Sequence, residues 1–277
     1  MPFSLQSDSF NGERDLQPLR TVTATRYVTP LREGGSLPAV VEADDDGLYV
    51  LKFRGAGQGQ KALIAELLGG EIARALGLLV PEIVFVELDP RLGRSEPDPE
   101  IQDLIQASAG LNLALDYLPG ALAFDPLLKP FPTAQLASAI VWLDTYITNV
   151  DRTPRNVNML NWHNRLWLID HGASLYFHHT WDNYLARSKR PFVQIAEHVL
   201  LPFAAVLDEI DDVLASRLTP ETLRNLVALI PERWLDESAH FATHEAQREA
   251  YLAYLLSRLE PPRAWVEEAI RAHAQLV

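Results

Sequence analysis

The sequence predicts an α+β protein of two lobes. Three observations predict it. Short runs rich in β-branched residues, joined by Gly- and Asp-rich turns, fill the first part of the chain. Apolar-periodic helices fill the second. The change of character falls at Leu118-Pro119-Gly120. Strands first and helices afterwards is the pattern of that class. The expected bounds are a flexible leader over 1–20, a first lobe of a sheet plus one helix over 21–118, and a mainly helical second lobe over 119–277. A cleft between two such lobes is a common seat for a ligand.

The elements follow in order. Thr21-Val22-Thr23-Ala24-Thr25-Arg26-Tyr27-Val28 reads as a strand, and Arg32 to Pro38 as a turn. Ala39 to Glu42 starts a second strand, Asp44-Asp45-Asp46-Gly47 turns, and Leu48 to Phe53 is a third, so an antiparallel meander is expected. Lys61 to Leu76 turns helical, with Leu63, Ile64, Leu67, Leu68 and Ile72 on one apolar face. Gly77 ends it and Pro81 forbids its restart. Ile83 to Leu88 and Leu111 to Tyr117 are further strands, and the Pro-rich stretch Asp89 to Glu100 between them reads as an irregular loop. Thr133 to Thr148 is a long helix, followed by an Asn-rich polar loop over 149–158. Met159-Leu160 and Leu166 to Ile169 flank a short hairpin turn, and the rest is helical, broken at its prolines.

Composition narrows the function classes. With 48% apolar and 22% charged residues, a chain of 277 residues has the balance of a globular protein with a substantial core. The net charge of −13 repels nucleic-acid backbones and anionic lipid heads, so neither partner is expected. A phosphate-bearing ligand therefore needs a local basic or metal-loaded pocket. The absence of Cys removes disulfides, thiolate metal sites and cysteine nucleophiles, and fits a reducing cytoplasm, the expected location. The first twenty residues carry no apolar signal region, and no run reaches the ~18 apolar residues of a membrane helix.

Only four of the 24 basic residues are Lys, and one of them, Lys52, lies inside a predicted strand. Alternation opposite Leu51 and Phe53 would, by itself, leave it in solvent. Its place in an ordered set gives it another meaning. Glu66 sits on the following helix, with Glu71 as a rival; Asp151 and Asn156 lie in the polar loop at a spacing of five; Asp170 follows the hairpin, before His171-Gly172. Phosphoryl transfer uses such parts in this order: a strand Lys on the phosphates, a helix Glu to hold it, an Asp to take the hydroxyl proton, and an Asn and a second Asp as hard oxygen ligands for magnesium. Gly34-Gly35-Ser36 fits a phosphate-covering turn, because Gly lets backbone N–H groups approach an anion. Gly55 to Gly59 lacks the full dinucleotide-loop spacing, and adjacent His178 and His179 with Asp182 make a poor metal site.

At these residues the sequence resembles the HipA-like kinases of the shorter type, without the extra N-terminal subdomain, and more distantly the phosphatidylinositol kinases. The likeness is carried by Val150-Asp151-Arg152-Thr153-Pro154-Arg155-Asn156-Val157-Asn158, by Leu168-Ile169-Asp170-His171-Gly172, and by Tyr49 to Phe53 with Ala65-Glu66-Leu67. It implies a bilobed kinase fold, ATP and magnesium as cofactors, and phosphoryl transfer to a Ser or Thr hydroxyl of a protein. Lys52 would contact phosphates and pair with Glu66, Asp151 would be the catalytic Asp, and Asn156 and Asp170 would hold metal. Gly34, Gly35 and Ser36 would cover the phosphates. Asp116, Tyr117 and Leu118 would form the hinge facing adenine through backbone groups. Some family members are toxins silenced by a partner, so an antitoxin or other regulator belongs to the same implication, although no residue here identifies one. Arg152-Thr153-Pro154 departs from the acidic-histidine pair many members carry, and His-Arg-Asp and Asp-Phe-Gly are absent. The alternatives are a kinase for a small molecule or lipid head group on the same fold, and a non-catalytic nucleotide-binding module.

Overall fold

A computed structural model describes residues 19–31, 37–235 and 240–276. The turn over Gly34, Gly35 and Ser36 and most of the expected leader lie outside these residues. Leu19 and Arg20, at the end of that stretch, are described. Leu19 packs on the core, and Arg20 bonds Asp45 at 2.8 Å and Glu82 at 3.0 Å.

The fold is a bilobed α+β architecture. Strands β1 (Thr21–Pro30), β2 (Ala39–Ala43) and β3 (Leu48–Lys52) form the expected meander. Its second turn is built by Asp46, at φ 62°, and by Asp45, whose carboxylate accepts the Gly47 N–H at 3.1 Å. With β4 (Ile83–Leu88) and β5 (Gly110–Asp116) the meander closes into a barrel of order β1-β2-β3-β5-β4. The closing pair is parallel, Thr21 opposite Phe85 and Val22 opposite Val86. Val41, Leu51, Val84 and Val86 point into the barrel, while Ile83, Leu113 and Leu115 point out of it.

Helix α1 (Gln60–Ala75) packs on that outer face. It ends as predicted: Gly77 takes φ 85° and bonds Arg74 O, and Leu78 N–H closes back on Ala73 O. Its one apolar face is an underestimate. Residues from Leu63 to Ala73 are buried all round, Glu66 and Glu71 included, because the barrel covers one side and the helical lobe the other. The loop expected over 89–100 is a 3-10 turn followed by a second helix, α2 (Pro99–Ala107). Asp98 caps it with Pro99 in the first turn, and Ile101 and Ile105 enter the barrel core.

The second lobe opens with a small sheet of β6 (Leu122–Ala123), β7 (Met159–Trp162) and β8 (Arg165–Leu168). His163 and Asn164, both at positive φ, turn the β7–β8 hairpin. Helix α3 (Ala134–Tyr146), capped by Thr133, is buried from Ala137 to Tyr146. Helices α5 (Leu207–Arg217) and α8 (Ala264–Ala274) pack on it, α7 (His244–Leu259) accepts the Tyr146 hydroxyl through Leu255 O, and α4 (Tyr184–Ser188) and α6 (Pro220–Ala228) pack on α7. Among the described residues no helix is long and apolar enough to cross a membrane.

Candidate active site

Period two puts Lys52 on the face of β3 opposite Leu51, outside the barrel. Alternation alone would leave it in water, yet it is only 9% exposed. α1 and the segment after β8 cover that face. The Lys52 ammonium donates to Asp170 Oδ1 at 2.7 Å. Burial pulls its pKa down, but the charges of Glu66, Asp170 and Asp151 outweigh burial and hold it above the ordinary lysine value. Three carboxylates from three separate segments therefore act on one ammonium.

Glu66 is 2% exposed. Its Oε1 lies 3.9 Å from His171 Nδ1, beyond hydrogen-bond reach, and a Cβ on Gly172 would sit 3.5 Å from its Oε2. Burial pushes its carboxyl up, and the neighbouring Lys52 charge reverses this and holds it below the usual carboxylate range. Glu71 turns instead to Arg74, 3.6 Å away. Of the two rivals, Glu66 is the one that faces Lys52. The direct Lys52–Glu66 pair implied by the resemblance is corrected in one respect: the bonded partner of Lys52 is Asp170, while Glu66 lies against His171 and Gly172 and acts through its field.

The loop after α3 holds Asp151 by its backbone at both ends. Its N–H donates to Asn149 Oδ1 at 3.1 Å, and its C=O accepts from Asn158 Nδ2 at 3.2 Å. Asn156 donates its amide to Asp151 Oδ2 at 2.8 Å, across a tight turn in which Thr153 and Asn156 exchange backbone bonds. That leaves Asp151 Oδ1 and the Asn156 amide oxygen without a protein partner among the described residues. Thr148, Asn158, Asp170 and Leu175, none of them Gly, take positive φ around this loop. Such backbone concentrates where surrounding structure imposes a functional geometry.

The donor set suits magnesium. Asp170 keeps its side chain 37% exposed, with Oδ2 free of protein partners among the described residues. The Asn156 amide oxygen adds a further hard donor. No group of three or more His, Asp or Glu side chains forms a ready-made metal cage among the described residues. Magnesium that arrives with phosphates needs only one or two protein carboxylates.

In the segment expected as the hinge two N–H groups are already committed. Asp116 donates to Glu82 O at 2.8 Å and Tyr117 to Leu48 O at 2.9 Å. Leu118 is left as the segment's unpaired N–H among the described residues. His178 does not join His179 and Asp182 around a metal; it is buried, with Nδ1 bonded to the Tyr251 hydroxyl at 3.0 Å. Sequence reasoning missed Asn149, Asn158 and Arg152. The available signal was the density of Asn in the loop, since Asn both bonds nearby backbone and tolerates positive φ.

Comparison with known proteins adds a family. The family described as HipA-like kinase matches residues 25–268. No curated protein matches the chain significantly. Among solved structures, the Helicobacter pylori proinflammatory kinase CtkA is 12% identical, with a TM-score of 0.49 over 94% of this chain and 99% of that one. The Golgi casein kinase with Mn/ADP bound is 14% identical, with a TM-score of 0.48 over 92% of this chain and 73% of that one.

Proposed function

The chain belongs to the HipA-like kinase family, and from that premise we propose that it transfers the γ-phosphoryl group of ATP, with magnesium, to a Ser or Thr hydroxyl of a protein. The observation that carries this reading is the ion pair between Lys52 of the first lobe and Asp170 of the second, at 2.7 Å, with the charges of Glu66 and Asp151 acting on the same ammonium. In the reaction the acceptor oxygen forms a bond to the γ-phosphorus while the bond from that phosphorus to the β,γ-bridging oxygen breaks. ADP leaves and the hydroxyl proton passes to Asp151.

Each residue's part follows from its setting. Lys52, kept charged by its carboxylate neighbours, neutralises phosphate oxygens from a rigid strand. Asn156 engages one Asp151 oxygen, which orients the other toward the acceptor. Asp170 and the amide oxygen of Asn156 would hold the metal. Magnesium, when bound, neutralises charge on the phosphates and favours their in-line orientation. The Leu118 N–H is the donor the hinge offers to adenine. Lys52 and magnesium together explain how a chain of net charge −13 accepts a nucleotide.

The test separates binding from turnover. Radiolabelled ATP is incubated with candidate proteins and, separately, with small alcohols. Asp170→Ala is expected to weaken magnesium-dependent nucleotide binding, whereas Asp151→Ala keeps binding and lowers turnover at least ~100-fold. Label on small alcohols alone would make this a small-molecule kinase. Nucleotide binding without transfer to either would make it a binding module. Negligible effects of both substitutions would remove the site.

A further inference from the structure

Behind Asp151 lies a buried polar cluster with no direct part in the chemistry just described. Asp144, near the end of α3, is fully buried, and Asn149, Arg152 and His198 are each at most 5% exposed. The Asp144 carboxylate accepts from Arg152 Nε at 2.5 Å, His198 Nε2 at 2.8 Å and Asn149 Nδ2 at 2.9 Å. The Leu200 N–H donates to His198 Nδ1 at 3.0 Å, so the ring proton sits on Nε2 and His198 is a neutral donor.

The guanidinium does more than pair with Asp144. Its Nη1 donates to the Asn158 carbonyl and reaches the Ile169 carbonyl at 3.4 Å. The same Asn158 carbonyl accepts the Ile169 N–H at 3.1 Å. Asn158 in turn holds the Asp151 carbonyl, and Ile169 precedes Asp170. One planar cation is thus bonded to the far end of the Asp151 loop and to the residue before Asp170.

We infer that Arg152, aimed by Asp144 and His198, is a positioning residue that sets the spacing between Asp151 and Asp170. The inference rests on the proposed phosphoryl transfer. A buried guanidinium needs acceptors whatever its role, and what matters here is where they lie: the Asn158 and Ile169 carbonyls belong to the two segments that carry Asp151 and Asp170. The fork cannot be reproduced by the point charge of a lysine.

Arg152→Lys therefore keeps the charge opposite Asp144 and loses the bridge. Its kcat for ATP turnover is expected to fall about 100-fold, the scale of an ~1 Å misplacement, while KM and Kd for magnesium-ATP stay within about threefold. His198→Gln, which still presents an N–H to Asp144, should retain most of the kcat that His198→Leu loses. The His198 pair decides the matter if Arg152→Lys does not fold. A folded Arg152→Lys with wild-type kcat, or His198→Gln and His198→Leu with equal kcat, overturns the inference and leaves the proposed function standing. A wild-type protein that binds magnesium-ATP without turning it over overturns both.

Discussion

Lys52 is a buried cation whose charge is set by its neighbours. A lysine this covered would be neutral by preference, and its proton is retained because Glu66 and Asp170 are there. The dependence runs both ways, since Glu66 is itself buried and held in its charged form by Lys52. Lys52→Met should therefore leave carboxylates uncompensated and cost roughly 3 kcal/mol of folding free energy. Glu66→Gln in the same chain should return part of it. A double-mutant cycle by urea unfolding is expected to give a coupling of about 1 kcal/mol or more for Lys52 with Glu66, and additivity within ~0.5 kcal/mol for Lys52 with Glu71. Coupling to Glu71 instead would reassign the helix carboxylate. At this scale the sequence was informative, because the five charged or amide-bearing residues are separated by recognisable elements and their order survives without knowledge of contacts. The bonding was not legible. Nothing in the chain order says that Asp170 rather than Glu66 takes the Lys52 hydrogen bond, because that depends on how close α1 lies to His171 and Gly172.

At the scale of elements, α1 carries Gly69-Gly70 in its middle, where Gly costs up to ~1 kcal/mol relative to Ala. The two glycines meet different surroundings. A Cβ on Gly69 would stand 2.7 Å from the His171 Cβ, an atom fixed to the backbone beside Asp170. A Cβ on Gly70 would meet the tip of Ile83, its Cδ1, at 2.6 Å, and that tip can rotate away. Gly69→Ala should therefore destabilise by about 1–3 kcal/mol and reduce turnover by moving His171 and Asp170. Gly70→Ala should be near neutral, with helix propensity offsetting the repacking. Thermal unfolding and single-turnover assays on both variants check this, and equal behaviour would show that the close approach of α1 does not position Asp170. Helix α1 itself was visible in the sequence, since its apolar spacing and Gly77 are local signals. Barrel closure was not, because β1 pairs with β4 across the intervening meander and helix, and no local pattern encodes a parallel partner. Helix α2 was hidden by its prolines, although Asp98-Pro99-Glu100 is a helix start once Pro is read as a first-turn residue.

Over the whole molecule, the second lobe grips the helix that belongs to the first. Gln60 donates to Arg233 O at 3.1 Å at one end of α1, and Arg217 donates to Leu76 O at 2.6 Å at the other. Trp234 adds a bond to Leu111 O at 3.2 Å and an edge contact with Phe85, centroids 5.5 Å apart. The site is thus assembled at a seam where both lobes are packed, and global unfolding reports on it. Two histidines buried in the second lobe contribute to how that stability responds to pH. Burial pushes His178 well below its ordinary value, and it pushes His198 down as well, despite Asp144 beside it. In the unfolded chain both titrate near pH 6.5. Below that pH the unfolded state binds protons that the folded state refuses, so stability falls as the solution is acidified. Each group contributes about 1.4 kcal/mol per pH unit in the window between its unfolded and folded pKa values. Urea unfolding of the wild type at pH 7.5, 6.5 and 5.5 should show this decline. His178→Gln should flatten it by the slope of roughly one proton between pH 6.5 and 5.5, where most carboxylates still remain charged. Parallel curves for the two proteins would mean that His178 binds its proton in the folded state, and that the bond to Tyr251 and the burial around it do not keep the ring neutral.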